Sequence, residues 1–362
     1  MNKQAHSNKI RVFICDDSSL VRILLRDLLE SDNDIEVIGE AENGKKAVEQ
    51  VLALKPDVVT MDLEMPVMGG HEAIQQIMAV YGVPILVVSS LDDAENAYKA
   101  ISNGALDIIG KPQLDILEIE GFTKKVKMLS TIKVVKHLNL TSKLIQPEKL
   151  NQQAIQAQVL PETTANVPTS SEPLGRIVAI ASSTGGPQAL EVILKALPAN
   201  FSYPIVISQH MSKGFSQGLA DWLDSCVSLK VKLATDFELL QAGVVYVSPS
   251  EQHLSVTEDR RVRLCDTADS KIYHPNCDLL LKSVASVYGD KAIAVICTGM
   301  GSDGAAGMQS IKAAGGITIA QDEASSVIFG MNQVAISRNC IDQVLAIDVI
   351  SGKILSLCGS RS

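Results

Sequence analysis

Residues 292–316 read AIAVICTGMGSDGAAGMQSIKAAGG. An apolar run at 292–297 meets a glycine cluster (Gly299, Gly301, Gly304), and a helix-forming stretch follows. Strand, glycine turn and helix make half of a βαβ unit, and such units build parallel sheets with right-handed crossovers. The spacing is also a literal G-x-G-x-x-G, with the acidic pair Asp322 and Glu323 about twenty residues on, as in dinucleotide-binding folds. Three features oppose a nucleotide. The fingerprint belongs to the first βα turn of its domain, yet about four strand-like runs precede it here. Asp303 stands at the helix N-terminus where a pyrophosphate would sit, and its charge repels phosphate. No nicotinamide pocket is indicated nearby.

Outward from this stretch the same alternation recurs twice. From residue 10 to about 121, RVFICD, IEVIGEA, DVVTMD, PILVVSS and ALDIIGKP read as strands, with helical patterns between them. From 176 onward RIVAIA, YPIVISQ, VVYVSP, AIAVICT and GITIAQ repeat the theme. VYVSPSEQHLSVTEDRRVRLC reads as a hairpin, which makes the second sheet mixed. The expected fold is α/β with two doubly wound domains. The division is a polar tail at 1–9, a first domain at 10–122, a helix and linker rich in Gln, Thr, Ser and Pro at 123–173, and a second domain at 174–358.

Composition narrows the function. The 362 residues suit two domains. No apolar run approaches the ~18 residues of a membrane span, and no signal-peptide core is present. The expectation is therefore cytoplasmic, without membrane insertion. The seven cysteines are scattered and form no C-x-x-C, so neither a disulfide framework nor a zinc cage is suggested. The net charge is −9: residues 1–121 carry 10 basic and 21 acidic side chains, 122–173 carry 7 and 3, and 174–362 carry 15 and 17. Without a clustered basic surface on the second domain, nucleic acid is disfavoured as a partner.

In the first domain Asp16 and Asp17 end the first strand and Asp62 the third, while Ser89 and Lys111 end the fourth and fifth. Parallel strand ends converge on one rim, where ligands bind. Three carboxylates there call for a cation, and an all-oxygen set with room for water suits Mg²⁺. With the hydroxyl and ammonium added, the rim has what phosphoryl transfer to a carboxylate requires. CDDS, MDLEMPVMGG, VVSS and GKP, in this order, resemble the response-regulator receiver domain over residues 10–121. The resemblance implies a flavodoxin-like fold and phosphorylation of Asp62 by a histidine kinase. It also implies Mg²⁺ held by Asp16, Asp17, Asp62 and the carbonyl of Glu64, with Ser89 and Lys111 bonding the phosphoryl group. Ile108 stands where that family often has a switching aromatic.

The second domain opens RIVAIASSTGGPQAL, a strand running into Ser182, Ser183 and Thr184 before a helix with Pro187 in its first turn. Such hydroxyls serve as helix caps or as nucleophiles beside N–H groups that hold an oxyanion. Among His6, His71, His137, His210, His253 and His274, His210 follows the strand PIVISQ and lands on the same rim. Asp303, at another strand end, can orient His210 and complete Ser183–His210–Asp303. The surrounding glycines let the N–H of Met300 or Gly301 approach an oxyanion.

IASSTGGPQAL, SQHMSKGF, VYVSPSEQHL, HPNCDLLLKSVA, TGMGSDGAAGM and AQDEASSVIFGMNQVAI are similar, in order, to the catalytic domain of the chemotaxis protein-glutamate methylesterases. This implies a mostly parallel, Rossmann-like catalytic domain with a β-hairpin. It implies Ser183 as nucleophile, His210 as base and Asp303 as orienting acid, with the Met300 N–H in the oxyanion hole and Thr184 beside the nucleophile. It further implies hydrolysis of glutamate methyl esters, and deamidation of glutamines, on methyl-accepting chemoreceptors, with no cofactor for the esterase. Ser182, Ser212 and Ser302 stand where that family commonly has Ala, Pro and Asn. The competing expectation is a phosphorylation-switched binding module without catalysis.

Overall fold

The computed structural model describes residues 9–90, 94–111, 116–132, 175–266 and 275–359. The polar tail up to residue 8, most of the expected linker, His6, His137 and His274 lie outside the described residues.

The first unit alternates strand and helix: β1 (Ile10–Cys15), α1 (Ser19–Glu30), β2 (Ile35–Ala41), α2 (Gly44–Leu54), β3 (Val58–Met61), α3 (Gly70–Val80), β4 (Ile85–Ser89), α4 (Ala94–Ser102), β5 (Asp107–Gly110) and α5 (Ile116–Leu129). The sheet order is β2-β1-β3-β4-β5, every pair parallel. β3 and β4 are buried along their whole length, as continuous apolar strands covered by helices on both faces must be. The basic stretch expected to open the linker belongs to α5. Its Phe122, Val126 and Leu129 are fully buried with Val12, Ile14 and Leu25, so a boundary after residue 122 cuts this helix.

The second unit comprises β6 (Ile177–Ser182), α6 (Gly186–Lys195), β7 (Ile205–Gln209), α7 (Ser216–Cys226), β8 (Lys230–Leu233), β9 (Val244–Val247), β10 (His253–Val256), β11 (Val262–Cys265), α8 (Cys277–Tyr288), β12 (Ala292–Ile296), α9 (Ala305–Ala313), β13 (Ile317–Gln321), α10 (Met331–Ser337), β14 (Gln343–Leu345) and α11 (Ile347–Gly359). Its seven-stranded sheet runs β14-β13-β12-β6-β7-β9-β8 and is parallel throughout, not mixed. The hairpin is present but forms its own two-stranded antiparallel sheet, β10–β11. It is tied to α8 through the Val256 N–H, which donates to Ser283 Oγ.

Both sheets reverse direction beside their first strand, between β1 and β3 and between β6 and β12. Doubly wound folds open a crevice at such a switch point, beyond the carboxyl ends of the strands. The two expected rims are these two crevices.

The units also touch each other. Tyr98 on α4 stacks on Trp222 on α7, with ring centroids 5.9 Å apart and planes 20° apart. Just before Lys111, the Gly110 N–H donates to Ser212 Oγ at 3.3 Å.

Candidate active site

At the first rim, Asp16, Asp17 and Asp62 bring carboxylate oxygens within 4.8 Å of one another. Asp62 is buried. Its Oδ1 accepts the Leu63 N–H at 2.8 Å and its Oδ2 accepts Lys111 Nζ at 2.9 Å. Asp16 Oδ2 lies 3.1 Å from the same ammonium, buried and without an aligned hydrogen bond. Burial and the charge of Asp62 push the Asp16 carboxyl above its ordinary range, against the pull of Lys111. A buried, electrostatically strained oxygen in an all-oxygen set fits a hard divalent cation such as Mg²⁺. Burial alone would lower the Lys111 pKa, but its ion pairs with Asp62 and Asp16 raise it, so the ammonium stays charged. Ser89 is buried at the end of β4 and its carbonyl accepts the Lys111 N–H at 2.9 Å. The Glu64 side chain is exposed and outside the cluster. Ile108 is buried in β5.

At the second rim, the strand ends bring Ser183 and His210 side by side: the His210 N–H donates to the Ser182 carbonyl at 3.0 Å. The Ser183 N–H donates to the Thr298 carbonyl of the neighbouring strand end at 3.0 Å. Ser183 is 8% exposed, whereas Ser182 is wholly buried and its hydroxyl donates to Gln209 Oε1 at 2.6 Å. Of the adjacent hydroxyls, Ser182 is therefore committed to the core. Thr184 is buried and its carbonyl accepts Thr298 Oγ1–H at 2.9 Å.

His210 Nε2 lies 2.7 Å from Asp303 Oδ2. With Asp303 ionised, Nε2–H is the donor of this bond. Asp303 also receives the first N–H groups of α8. The Cys277 N–H donates to Oδ2 at 2.8 Å and the Asp278 N–H to Oδ1 at 2.9 Å, while the Gly304 N–H reaches Oδ1 at 2.9 Å. Burial pushes this carboxyl up. The hydrogen bond and charge of His210 and the helix N–H groups outweigh that and hold it below the usual carboxylate value. Asp303 thus completes the N-terminus of α8 and aligns the imidazole without being basic enough to take its proton.

The opening glycines now have their reason. A Cβ at Gly299 would come within 2.5 Å of Ser183 Cβ and 2.4 Å of Met331 Sδ, so only glycine lets this loop pass the serine. Gly301 and Gly304 both have φ +89°, the left-handed region glycine tolerates best. Met300, between Gly299 and Gly301, is 47% exposed.

Two site residues escaped the sequence reading. Gln209 is 2% exposed, and its amide donates to the carbonyls of both Ser183 (2.8 Å) and His210 (2.7 Å). The one signal was its position, a polar residue closing an apolar strand directly before His210. Cys277 places Sγ 3.5 Å from His210 Nε2. The one signal was the Asn276 helix cap just before it, whose side chain accepts the Leu279 N–H at 2.7 Å and marks the start of a helix, not a site.

The sequence matches the family described as CheB methylesterase over residues 178–354 and the response regulator receiver domain over 12–119. Protein-glutamate methylesterase/protein-glutamine glutaminase 3 of Paramagnetospirillum magneticum is 46% identical over 353 residues, 97% of each chain. Protein-glutamate methylesterase/protein-glutamine glutaminase of Thermotoga maritima is 38% identical, covering 96% of this chain and 98% of its own. The crystal structure of the Thermotoga maritima CheB methylesterase catalytic domain aligns over its whole length with 51% of this chain, at 40% identity and a TM-score of 0.50. The two family matches, together with full-length relatives of this similarity, leave one conclusion: the chain belongs to the CheB methylesterase family, with a response regulator receiver domain ahead of its methylesterase domain.

Proposed function

We propose that the protein is a phosphorylation-activated serine esterase that removes methyl groups from glutamate γ-methyl esters on chemoreceptor cytoplasmic domains, and deamidates specific glutamines there, resetting adaptation in chemotaxis. The 2.7 Å His210–Asp303 contact, set beside Ser183 at a switch point, carries this reading. Ser183 Oγ attacks the ester carbonyl as His210 Nδ1 takes its proton. The oxyanion is held by N–H groups of the Met300–Gly301 loop, with Thr184 alongside. His210 returns the proton to the departing methanol, and water then hydrolyses the acyl-enzyme by the same relay. For an amide side chain the same relay releases ammonia. The imidazolium formed at each step is stabilised by ionised Asp303.

In the receiver, Asp62 accepts the phosphoryl group from a histidine kinase. Asp16, Asp17, Asp62 and the Glu64 carbonyl would hold Mg²⁺, which supplies charge neutralisation of the phosphoryl oxygens when bound. Lys111 neutralises them as well, and Ser89 bonds them. The units contact each other through Tyr98–Trp222 and Gly110–Ser212, which supports an unphosphorylated state in which the receiver restrains the esterase rim. The setting is the cytoplasm. Among the described residues no helix is long and apolar enough to cross a membrane, which is consistent with that setting.

The test is methanol release from methylated receptor by Ser183→Ala and Ser182→Ala. Ser183→Ala should lose activity by a factor on the order of 10⁴ or more, Ser182→Ala by less than about tenfold. Methanol release by Ser183→Ala at the wild-type rate overturns the mechanism.

A further inference from the structure

We propose that His210 Nε2, Cys277 Sγ and Asp303 Oδ2 form a binding site for Zn²⁺ that silences the esterase. The three ligand atoms lie within 4.8 Å of one another, with Nε2–Oδ2 at 2.7 Å and Sγ–Nε2 at 3.5 Å. An imidazole, a thiol and a carboxylate are the donor set of zinc, unlike the all-oxygen cluster of the receiver. With ordinary zinc bond lengths, the Sγ–Nε2 separation corresponds to an N–Zn–S angle of about 109°. The shorter Nε2–Oδ2 separation gives about 85°, which opens to tetrahedral when the imidazole and the carboxylate part by about half an ångström. Three protein ligands leave a fourth position at the rim, where the His210 side chain is 10% exposed.

The ligands are held from behind. Asp303 is fixed by the N–H groups of Cys277, Asp278 and Gly304. Such outer contacts orient ligands before the metal arrives. Two negative ligands also match the ion's charge in a buried place, so the neutral set can stay dry.

Binding balances with one proton released. The Cys277 thiol gives up its proton to solvent as the S–Zn bond forms. The imidazole proton leaves Nε2, where zinc takes the lone pair, and moves to Nδ1. On the catalytic reading Nδ1 is the atom that takes the Ser183 proton, and it is then already protonated, so occupancy and inhibition are one event. The inhibitory half rests on the catalytic reading of His210, whereas the binding half does not.

The probe is Co²⁺, followed by Zn²⁺, added to the full chain in excess Mg²⁺ to saturate the receiver. Wild type and Ser183→Ala should both show near-ultraviolet thiolate-to-cobalt absorption that Zn²⁺ abolishes. Cys277→Ser and Cys277→Ala, melting like wild type, should lack the band. Methanol release, each variant measured against its own zinc-free rate, should need about 100-fold more Zn²⁺ for half-inhibition in Cys277→Ser. A missing band in wild type, or one that persists in both Cys277 variants, overturns the site. A band with undiminished wild-type turnover overturns the switch. If the catalytic reading is what fails, the band remains in Ser183→Ala while that variant keeps its activity.

Discussion

At the scale of single residues, the site turns on how far a carboxyl can be held from its ordinary value. Asp303 is depressed by His210 and by the α8 N–H groups, despite burial. A depressed folded-state value means that its contribution to stability is fully present above the unfolded value, about 3.9, and is lost as the pH falls through the folded value. The melting temperature should therefore exceed that of Asp303→Asn at pH 5, and the margin should close as the pH falls below about 4. Calorimetric melts of both proteins across this range check it, and a margin that widens in acid refutes it. The sequence already named Asp303, because a carboxylate at a helix start is an odd choice for a phosphate site. Asp303 does stand at the start of α9, whose N-cap Gly304 donates to it, and it also takes the first N–H groups of α8, which no local pattern indicated.

At the scale of elements, β6 and β7 bring Ser183 and His210 to one edge, and Gln209 locks the two strand ends together. Its amide oxygen accepts Ser182 Oγ–H and its NH₂ bonds both site carbonyls. A Cβ at Gly186 would meet Gln209 Oε1 at 1.8 Å, so the turn into α6 is shaped around this amide. In Gln209→Ala the Ser182 hydroxyl and the His210 carbonyl lose this partner, at about 1–3 kcal/mol each before relaxation, while the Ser183 carbonyl keeps the Gly186 N–H at 2.7 Å. Because Gln209 positions residues and does not touch substrate, kcat should fall at least about tenfold with KM nearly unchanged. Steady-state kinetics decide it: a rise in KM with unchanged kcat would place Gln209 in substrate binding instead. The strands themselves were legible from their apolar runs. β8 and β14 were not, because short edge strands such as KVKL and QVL carry too little apolar pattern to stand out.

At the scale of the whole molecule, a short route joins the two rims. Lys111 bonds Asp62, its neighbour Gly110 donates to Ser212 Oγ, and Ser212 stands two residues after His210. In Ser212→Ala the Gly110 N–H loses this acceptor, worth about 1 kcal/mol. If that bond holds the restrained arrangement, the unphosphorylated rate of methanol release should rise about fivefold, with the phosphorylated rate unchanged. An equal change in both rates would show that Ser212 acts on the esterase alone. Nothing in the sequence marked this contact, because Ser212 stood out only as a departure from the proline usual in related proteins.

What the sequence determined by itself is the class of fold and the rims. Period-2 and period-3.6 apolar patterns are set by near neighbours, and a parallel sheet delivers every strand's carboxyl end to one edge. Asp16, Asp17, Asp62, Ser89, Lys111, Ser183, His210 and Asp303 were readable from that rule alone. Only the tertiary structure decided which of them touch, and what else joins them. His210 and Asp303 are 93 residues apart and His210 and Cys277 are 67 apart. Contacts over such separations depend on strand order and on a few ångströms of side-chain reach, which no local pattern encodes. The order β12-β6-β7 set Ser183 between the Asp303 loop and His210, and packing α8 against α9 carried Cys277 and its N–H group to Asp303.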